Sequence, residues 1–322
     1  MSPIRSYAKW ILSATHAYKK TKDSNVKNFI ERLASLFFDK KYRPHGYTYH
    51  TKLSSSNPNG VVGQALVINA LFEAGSTLNK KAYKKRSQEL FLLFPFDNKE
   101  KLWSRIDIYG NNNGVDYTFN HQLAFATYSL PLLSLDSKVI NKRINDFVNN
   151  ISINLGIRKN GRIVHAVKQK TFIGKLKYSL LNLYHYFFDK THHYGTKEPG
   201  YHGFNLFLFS LLHRSFSNHS FFKSKKFRKA LKYFVSKDYE KKIEDKTEPY
   251  FFTNAKVYLA ITLETFYPSE RGRIKRLLRD YLKEYYDFNR NILGKDSYDI
   301  NHMMSNIYFL TFLKNNYNLH IK

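Results

Sequence analysis

The stretch DYTFNHQLAFATYSLPLL, residues 116–133, joins a polar opening to an apolar run. From Phe119 to Leu133 it carries no Lys, Arg, Asp or Glu, the pattern of a helix enclosed on all sides rather than one with a wet face. A helix that belongs inside a protein and begins Asn120-His121-Gln122 raises two readings. Either the three side chains cap and fill, or a helix end presents them to a substrate.

Working outward, the same grammar recurs. An apolar helix follows a loop containing Gly, Asn or Pro, and a Lys-rich amphipathic helix follows the next turn. The pairs predicted are 4–19 with 23–38, 57–75 with 79–94, 116–133 with 136–155, 198–216 with 219–236, and 248–267 with 269–288. A last helix over 298–316 stands without a partner. In the second helix of a pair, apolar residues recur at i, i+3, i+4 and i+7, as in Ile274, Leu277, Leu278, Leu282 and Tyr285. Buried first helices alternating with amphipathic second ones predict two concentric layers. The expected fold is all-α, an α/α toroid of five to six helical hairpins forming one domain over 1–322, with a solenoid of hairpins as the competing arrangement.

Residues 156–197 break the pattern. Arg158-Lys159-Asn160-Gly161-Arg162 reads as a tight turn, Ile163 to Val167 as a short strand, and 172–188 as an extra aromatic amphipathic helix. This basic β/α insertion is a candidate lid or substrate-grip element.

Composition narrows the partner. The chain has 53 Lys+Arg against 25 Asp+Glu, a net charge of +28, which favours a polyanion. An acidic polysaccharide is the first expectation, and peripheral contact with an anionic membrane face the second. Nucleic acid ranks lower, since the cations fall on outer-helix faces without a nucleic-acid motif. The competing explanation for the Lys and Asn content is a base-composition bias of the genome. There are 25 Tyr and 27 Phe, and Tyr suits surfaces that meet sugars. With no Cys, disulfides and thiolate metal sites are excluded. No signal-peptide layout or spanning apolar run is present, so the expected place is the cytoplasm, at most peripheral to the membrane.

The openings of the inner helices share a vocabulary. Gln64 opens one, Asn120, His121 and Gln122 the next, Tyr201, His202 and Asn205 the fourth, Asn254 the fifth and His302 the last. The loop before the second adds His45, Tyr47 and His50, and the insertion adds Arg158, His193 and Tyr194. Any one of them alone fits a helix cap or a packed histidine. Their recurrence at one place in the repeat points to a polar rim able to bind saccharide. No HExxH or comparable spacing supports a metal, and no cofactor is expected. Carboxylates near the rim are few (Asp116, Glu198, Glu248 and Asp299), which disfavours a carboxylate-pair glycosidase, although Glu198 and Glu248 keep that alternative open. His, Tyr and Asn instead suit removal of the C5 proton beside the carboxylate of a uronic acid, whether it ends in β-elimination or in C5 epimerisation.

On FNHQLAFA (119–126) and GYHGFNLFLFSLL (200–212), and on the hairpin architecture, the chain resembles α/α-toroid carbohydrate-active enzymes, most of all polysaccharide lyases of the alginate and heparin type. That resemblance implies that Asn120 neutralises a uronate carboxylate and that His121 acts as base or neutraliser. It implies Tyr194 or Tyr201 as acid; His202 is a further catalytic candidate. The lyases often carry a β-sandwich domain, which is not expected here, and are usually exported. A cytoplasmic enzyme is the expectation for this chain, and with it a role in capsule or exopolysaccharide metabolism. The alternatives are a glycoside hydrolase on the same scaffold and a non-enzymatic helical-repeat module binding nucleic acid or an anionic membrane.

Overall fold

The computed structural model describes residues 3–50, 60–168, 194–245, 254–293 and 306–319, together with Leu176 and Leu180. All five expected hairpins are present in the described residues. They are α1 (Pro3–Thr21) with α2 (Ser24–Ser35), α3 (Val62–Thr77) with α4 (Lys81–Leu93), α5 (Phe119–Tyr128) with α6 (Lys138–Asn154), α7 (Tyr194–Ser215) with α8 (Lys225–Phe234), and α10 (Ala255–Phe266) with α11 (Arg271–Tyr285). A further helix, α9 (Lys237–Asp245), follows α8 and is not among those expected. The expected last helix appears as a 3₁₀ segment, Asn306–Phe312; its opening, with His302, lies outside the described residues, as does the helix expected over 172–188 apart from the exposed Leu176 and Leu180.

The helices fall into two compact units, neither contiguous in sequence. The first comprises Met1–Asp116, Ala124–Phe147 and Leu282–Lys314, the second Tyr117–Leu123, Val148–Tyr281 and Asn315–Lys322.

In the first unit α3 is the buried centre, with thirteen residues from Val62 to Gly75 shielded from water. It packs against α1 and α4. The approach to α4 is close because residue 75 lacks a side chain: a Cβ on Gly75 would lie 2.9 Å from the Lys84 amide nitrogen. Ser87 Oγ then donates to the Ile68 carbonyl at 2.6 Å, satisfying a hydroxyl that the packing buries. After α4 the chain makes a small antiparallel sheet, β1 (Phe96–Asp97), β2 (Leu102–Ile106) and β3 (Asn112–Val115), which the helical periodicity does not announce. Trp103 of β2 is fully buried against Phe91, Phe96, Phe125 and Phe147, with centroids 5.0–5.9 Å away. The sheet is held by this aromatic cluster rather than by its length. A second short ladder pairs β4 (Tyr286–Asp287) with β5 (Ile292–Leu293).

In the second unit α7 packs along α10, where the rings of Phe207 and Tyr258 stack at 5.0 Å. On α11 the first part of the expected apolar stripe is inside: Ile274, Leu277 and Leu278 are buried, each contributing about 1.5–3 kcal/mol of transfer free energy. Tyr281, outside the expected stripe, is buried with them, whereas Leu282 and Tyr285 are only half-buried. On α8 the buried face is Phe227, Ala230, Leu231 and Phe234. Glu240 of α9, itself buried, takes Arg273 at 2.5 Å and also Arg276, both from α11, fastening one amphipathic helix to another.

Candidate active site

The opening of α5 is shaped by backbone pairing. The Thr118 carbonyl accepts the amides of His121 and Gln122 at 3.1 and 3.2 Å, so Thr118 begins the helix and Asn120, His121 and Gln122 fill its first turn. Just before it, Thr118 bridges Ala166 in antiparallel fashion, the Phe119 amide donates to the His165 carbonyl at 2.9 Å, and the Val167 amide donates to the Tyr117 carbonyl at 2.8 Å. The insertion therefore lies against the start of α5, and His165 stands beside the turn that carries His121.

The insertion is itself a hairpin. Arg158 donates its amide to the Arg162 carbonyl at 2.8 Å, and Ile157 bridges Ile163. Gly161 at the turn has φ +100°, and a Cβ there would lie 2.7 Å from the Lys229 carbonyl of α8. Only glycine meets both conditions. Two contacts join the hairpin to α7. The Arg158 guanidinium meets both carboxylate oxygens of Glu198, with Nε at 3.0 and 3.2 Å and a terminal nitrogen at 2.7 Å. The Ile163 amide donates to Nδ1 of His202 at 3.1 Å. The ring of His165 then lies 4.5 Å from that of Tyr201.

These contacts gather part of the expected set. His121, Tyr201 and Arg158, with the unexpected His165, are brought to one region of the second unit. His121 and Tyr201 are half-buried, and His165 is nearly enclosed. Asn205, one turn beyond Tyr201, is fully buried with neither amide atom hydrogen bonded among the described residues. Asn120 is 2% exposed and its carbonyl oxygen is likewise unpaired, whereas the fully buried Gln122 has partners. An unpaired buried amide is costly, and a hydroxyl-bearing ligand is the sort of partner that relieves it.

Other expected residues have structural employment. His202 is fully buried among the rings of Tyr233, Phe234 and Tyr239, and burial pushes its pKa down to about 3, against a smaller opposing influence of the Ala230 carbonyl. It stays neutral near pH 7 and serves as an acceptor for the hairpin backbone, so a proton-transfer role is corrected to a positioning one. Nor do Tyr201, His202 and Asn205 open their helix: α7 begins at Tyr194, and Pro199, which reads as a breaker, lies within it. The Pro199 carbonyl accepts the Tyr239 hydroxyl at 2.7 Å, which ties this part of α7 to α9. Asn254 does precede α10, yet its Oδ1 accepts the Tyr281 hydroxyl at 3.0 Å and braces α10 to α11 instead of facing a ligand.

Gln64 is a backbone clamp in the first unit. Its amide accepts from the Tyr49 N–H and donates to the Tyr49 carbonyl, both at 3.0 Å, and it is wholly buried. His45 and Tyr47 are exposed in that unit, His45 stacked 4.6 Å from Tyr109 and Tyr47 covering Gly110; His50 is half-buried and pairs through its backbone with Tyr42. Asp116 accepts the Val61 amide at 3.1 Å. The side chain of Tyr194, and His193, His302, Glu248 and Asp299 entirely, lie outside the described residues. Among the described residues no group of three or more His, Asp or Glu is arranged to hold a metal ion, and no helix is long and apolar enough to cross a membrane.

No family model matches the chain. It is 25% identical over 312 residues to archaeal glycosylation protein Q of Haloferax volcanii, covering 92% of this chain and 84% of that one. Among solved structures it is similar to cellobiose 2-epimerase from Bacillus thermoamylovorans, with a TM-score of 0.64 at 12% identity over 96% of this chain and 87% of that one. D-mannose isomerase gives a TM-score of 0.60 at 12% identity, covering 96% and 86%. An α-1,6-mannanase from Salegentibacter gives 0.53 at 10%, covering 96% and 88%. At such identities the likeness establishes the fold: it is that of the α/α-toroid carbohydrate-active enzymes, as the hairpin grammar predicts.

Proposed function

We propose that the protein is a carbohydrate-modifying enzyme that moves a proton at a sugar carbon beside a carbonyl, giving epimerisation or isomerisation. The observation that carries this reading is the pairing of the 165–167 segment with the start of α5. It sets His165 beside the turn bearing His121, with the Tyr201 ring against His165. Two histidines on different backbone segments suit a reaction in which one removes a proton and the other returns it or protonates the oxygen. In this reading Tyr201 orients His165, and the unpaired amide atoms of Asn120 and Asn205 are the groups that would take sugar hydroxyls. Glu198, the carboxylate that α7 brings to this region, is consumed by Arg158, which leaves hydrolysis by a carboxylate pair poorly equipped. The epimerase and isomerase among the structural neighbours lend this class further support.

A second reading, β-elimination or C5 epimerisation within an acidic polysaccharide, is favoured by one specific observation, the net charge of +28. One experiment addresses both. The purified protein is incubated in deuterium oxide with neutral reducing disaccharides and separately with uronate polymers. Deuterium at C2 of a reducing sugar with a new epimer supports the first reading. Deuterium at C5, or ultraviolet absorbance of an unsaturated uronate, supports the second. No exchange across both panels refutes a proton-transfer enzyme.

A further inference from the structure

Acidic residues are missing from much of the second unit's sequence. There is no Asp or Glu between Asp146 and Asp189, nor between Glu198 and Asp238. The cations in these stretches are consequently without local counter-charges. On α8, Lys225, Arg228, Lys229 and Lys232 are all exposed at i, i+3, i+4 and i+7, so they form one stripe along two turns. None of the four is in an ion pair among the described residues.

The hairpin and the end of α6 extend the stripe sideways. Gly161 sits against the Lys229 carbonyl, which brings the exposed Lys159 alongside. At the other edge Lys226 reaches the carbonyls of Ser152 and Leu155 at 2.6 and 2.9 Å, and the Lys168 amide bonds to the Asn154 carbonyl at 2.8 Å. The exposed Lys168 therefore joins the same corner. Like charges collected in this way raise the free energy of the isolated fold, and a matching anionic partner removes the penalty.

We infer that this face, the α8 stripe flanked by Lys159 and Lys168, docks the protein on an anionic phospholipid surface. The opposite face of α8, with Phe227, Ala230, Leu231 and Phe234, is buried in the unit, so the helix adsorbs by charge and does not insert. Three of the four stripe residues are Lys, point charges suited to a diffuse negative surface potential rather than to a bidentate partner. No exposed aromatic side chain of α8 lies among them to stack a base, because Phe227 and Phe234 are buried and Tyr233 is packed on His202 and Tyr239.

The test is flotation of the purified chain with vesicles of phosphatidylcholine alone, or of phosphatidylcholine mixed with phosphatidylglycerol. The expected result is capture by the mixed vesicles only, abolished by high salt. The fourfold variant K225E/R228E/K229E/K232E should lose at least about tenfold in vesicle partitioning, with an unchanged circular dichroism spectrum. A control of equal net charge, K20E/K27E/K81E/K85E, should retain most of the capture. Equal loss in both variants would mean that net charge, not this face, is responsible, and would overturn the inference. So would equal capture by neutral vesicles, or capture by a soluble polyanion such as RNA without any by the mixed vesicles.

Discussion

Arg158 and Glu198 form a three-contact ion pair in which the carboxylate is fully enclosed while the guanidinium remains partly in water. A buried carboxylate without its cation is a heavy burden on a fold, whereas losing the pair together is far milder. Arg158→Ala should destabilise the protein by about 3 kcal/mol, read as a lower urea midpoint with an unchanged slope. Arg158→Leu combined with Glu198→Leu should recover most of that loss. Because the pair anchors the hairpin bearing His165, activity of the single variant should fall further than its folded fraction.

The burial of His202 predicts a pH dependence of stability. Its pKa is about 3 in the folded protein against an ordinary value of 6.5, so between these values the unfolded chain binds the extra proton. The stability it confers is complete above pH 6.5 and is lost as pH falls toward 3, at up to about 1.4 kcal/mol per pH unit. Thermal melts across this range should show that decline, and His202→Gln should flatten it. His202→Phe should also flatten it, but with about 1–3 kcal/mol less stability at neutral pH, because the Ile163 amide loses its acceptor.

His121 in the first turn of α5 and His165 on the segment paired with it should behave differently from His202. His121→Ala and His165→Gln should each lower turnover by about a hundredfold or more. The half-buried His121 can be truncated with the melting temperature near that of the parent, whereas the enclosed His165 ring cannot be removed without some loss of stability. Tyr201→Phe, which keeps the ring against His165, should have a smaller effect than Tyr201→Ala. Solvent-deuterium incorporation followed by NMR distinguishes loss of proton abstraction from loss of proton return.

Gly161→Ala should destabilise the fold by more than about 1 kcal/mol. Its φ of +100° opposes a side chain, and so does the Lys229 carbonyl, 2.7 Å from where the new Cβ would stand. Gly114, with positive φ and open space around it, provides the contrast, and Gly114→Ala should cost less. Parallel denaturation curves decide the comparison.

How far the fold and the site can be read in advance follows from range. Helical hairpins are local: the period of Ile274, Leu277 and Leu278 and the uncharged run of 119–133 each fix an element from its own residues. The sheet 96–115 escapes such reading because its strands are two, five and four residues long and depend on Trp103 meeting Phe91, Phe125 and Phe147 from distant helices. His121 stands out as a polar residue at the head of an apolar helix. His165 carries no such contrast in a basic, mixed segment, and only the long-range bridge between Thr118 and Ala166 sets it beside the first turn of α5. Gln64 and His202 look alike in sequence to ligand-binding residues because a side chain that holds a distant backbone group and one that holds a substrate use the same atoms.

The Tyr128 hydroxyl meets that of Tyr308 at 2.8 Å, across 180 residues of chain, inside the first unit. Everything from Val148 to Tyr281, nearly the whole of the second unit, is therefore synthesised between these two tyrosines. At ordinary elongation rates the earlier one waits roughly 10–35 s for its partner to emerge. During that interval the aromatic surface around Tyr128 is without its last covering segment. A ribosome-stalled nascent chain ending near Tyr281 would thus hold nearly all of the second unit while Tyr128 still lacks its hydroxyl partner.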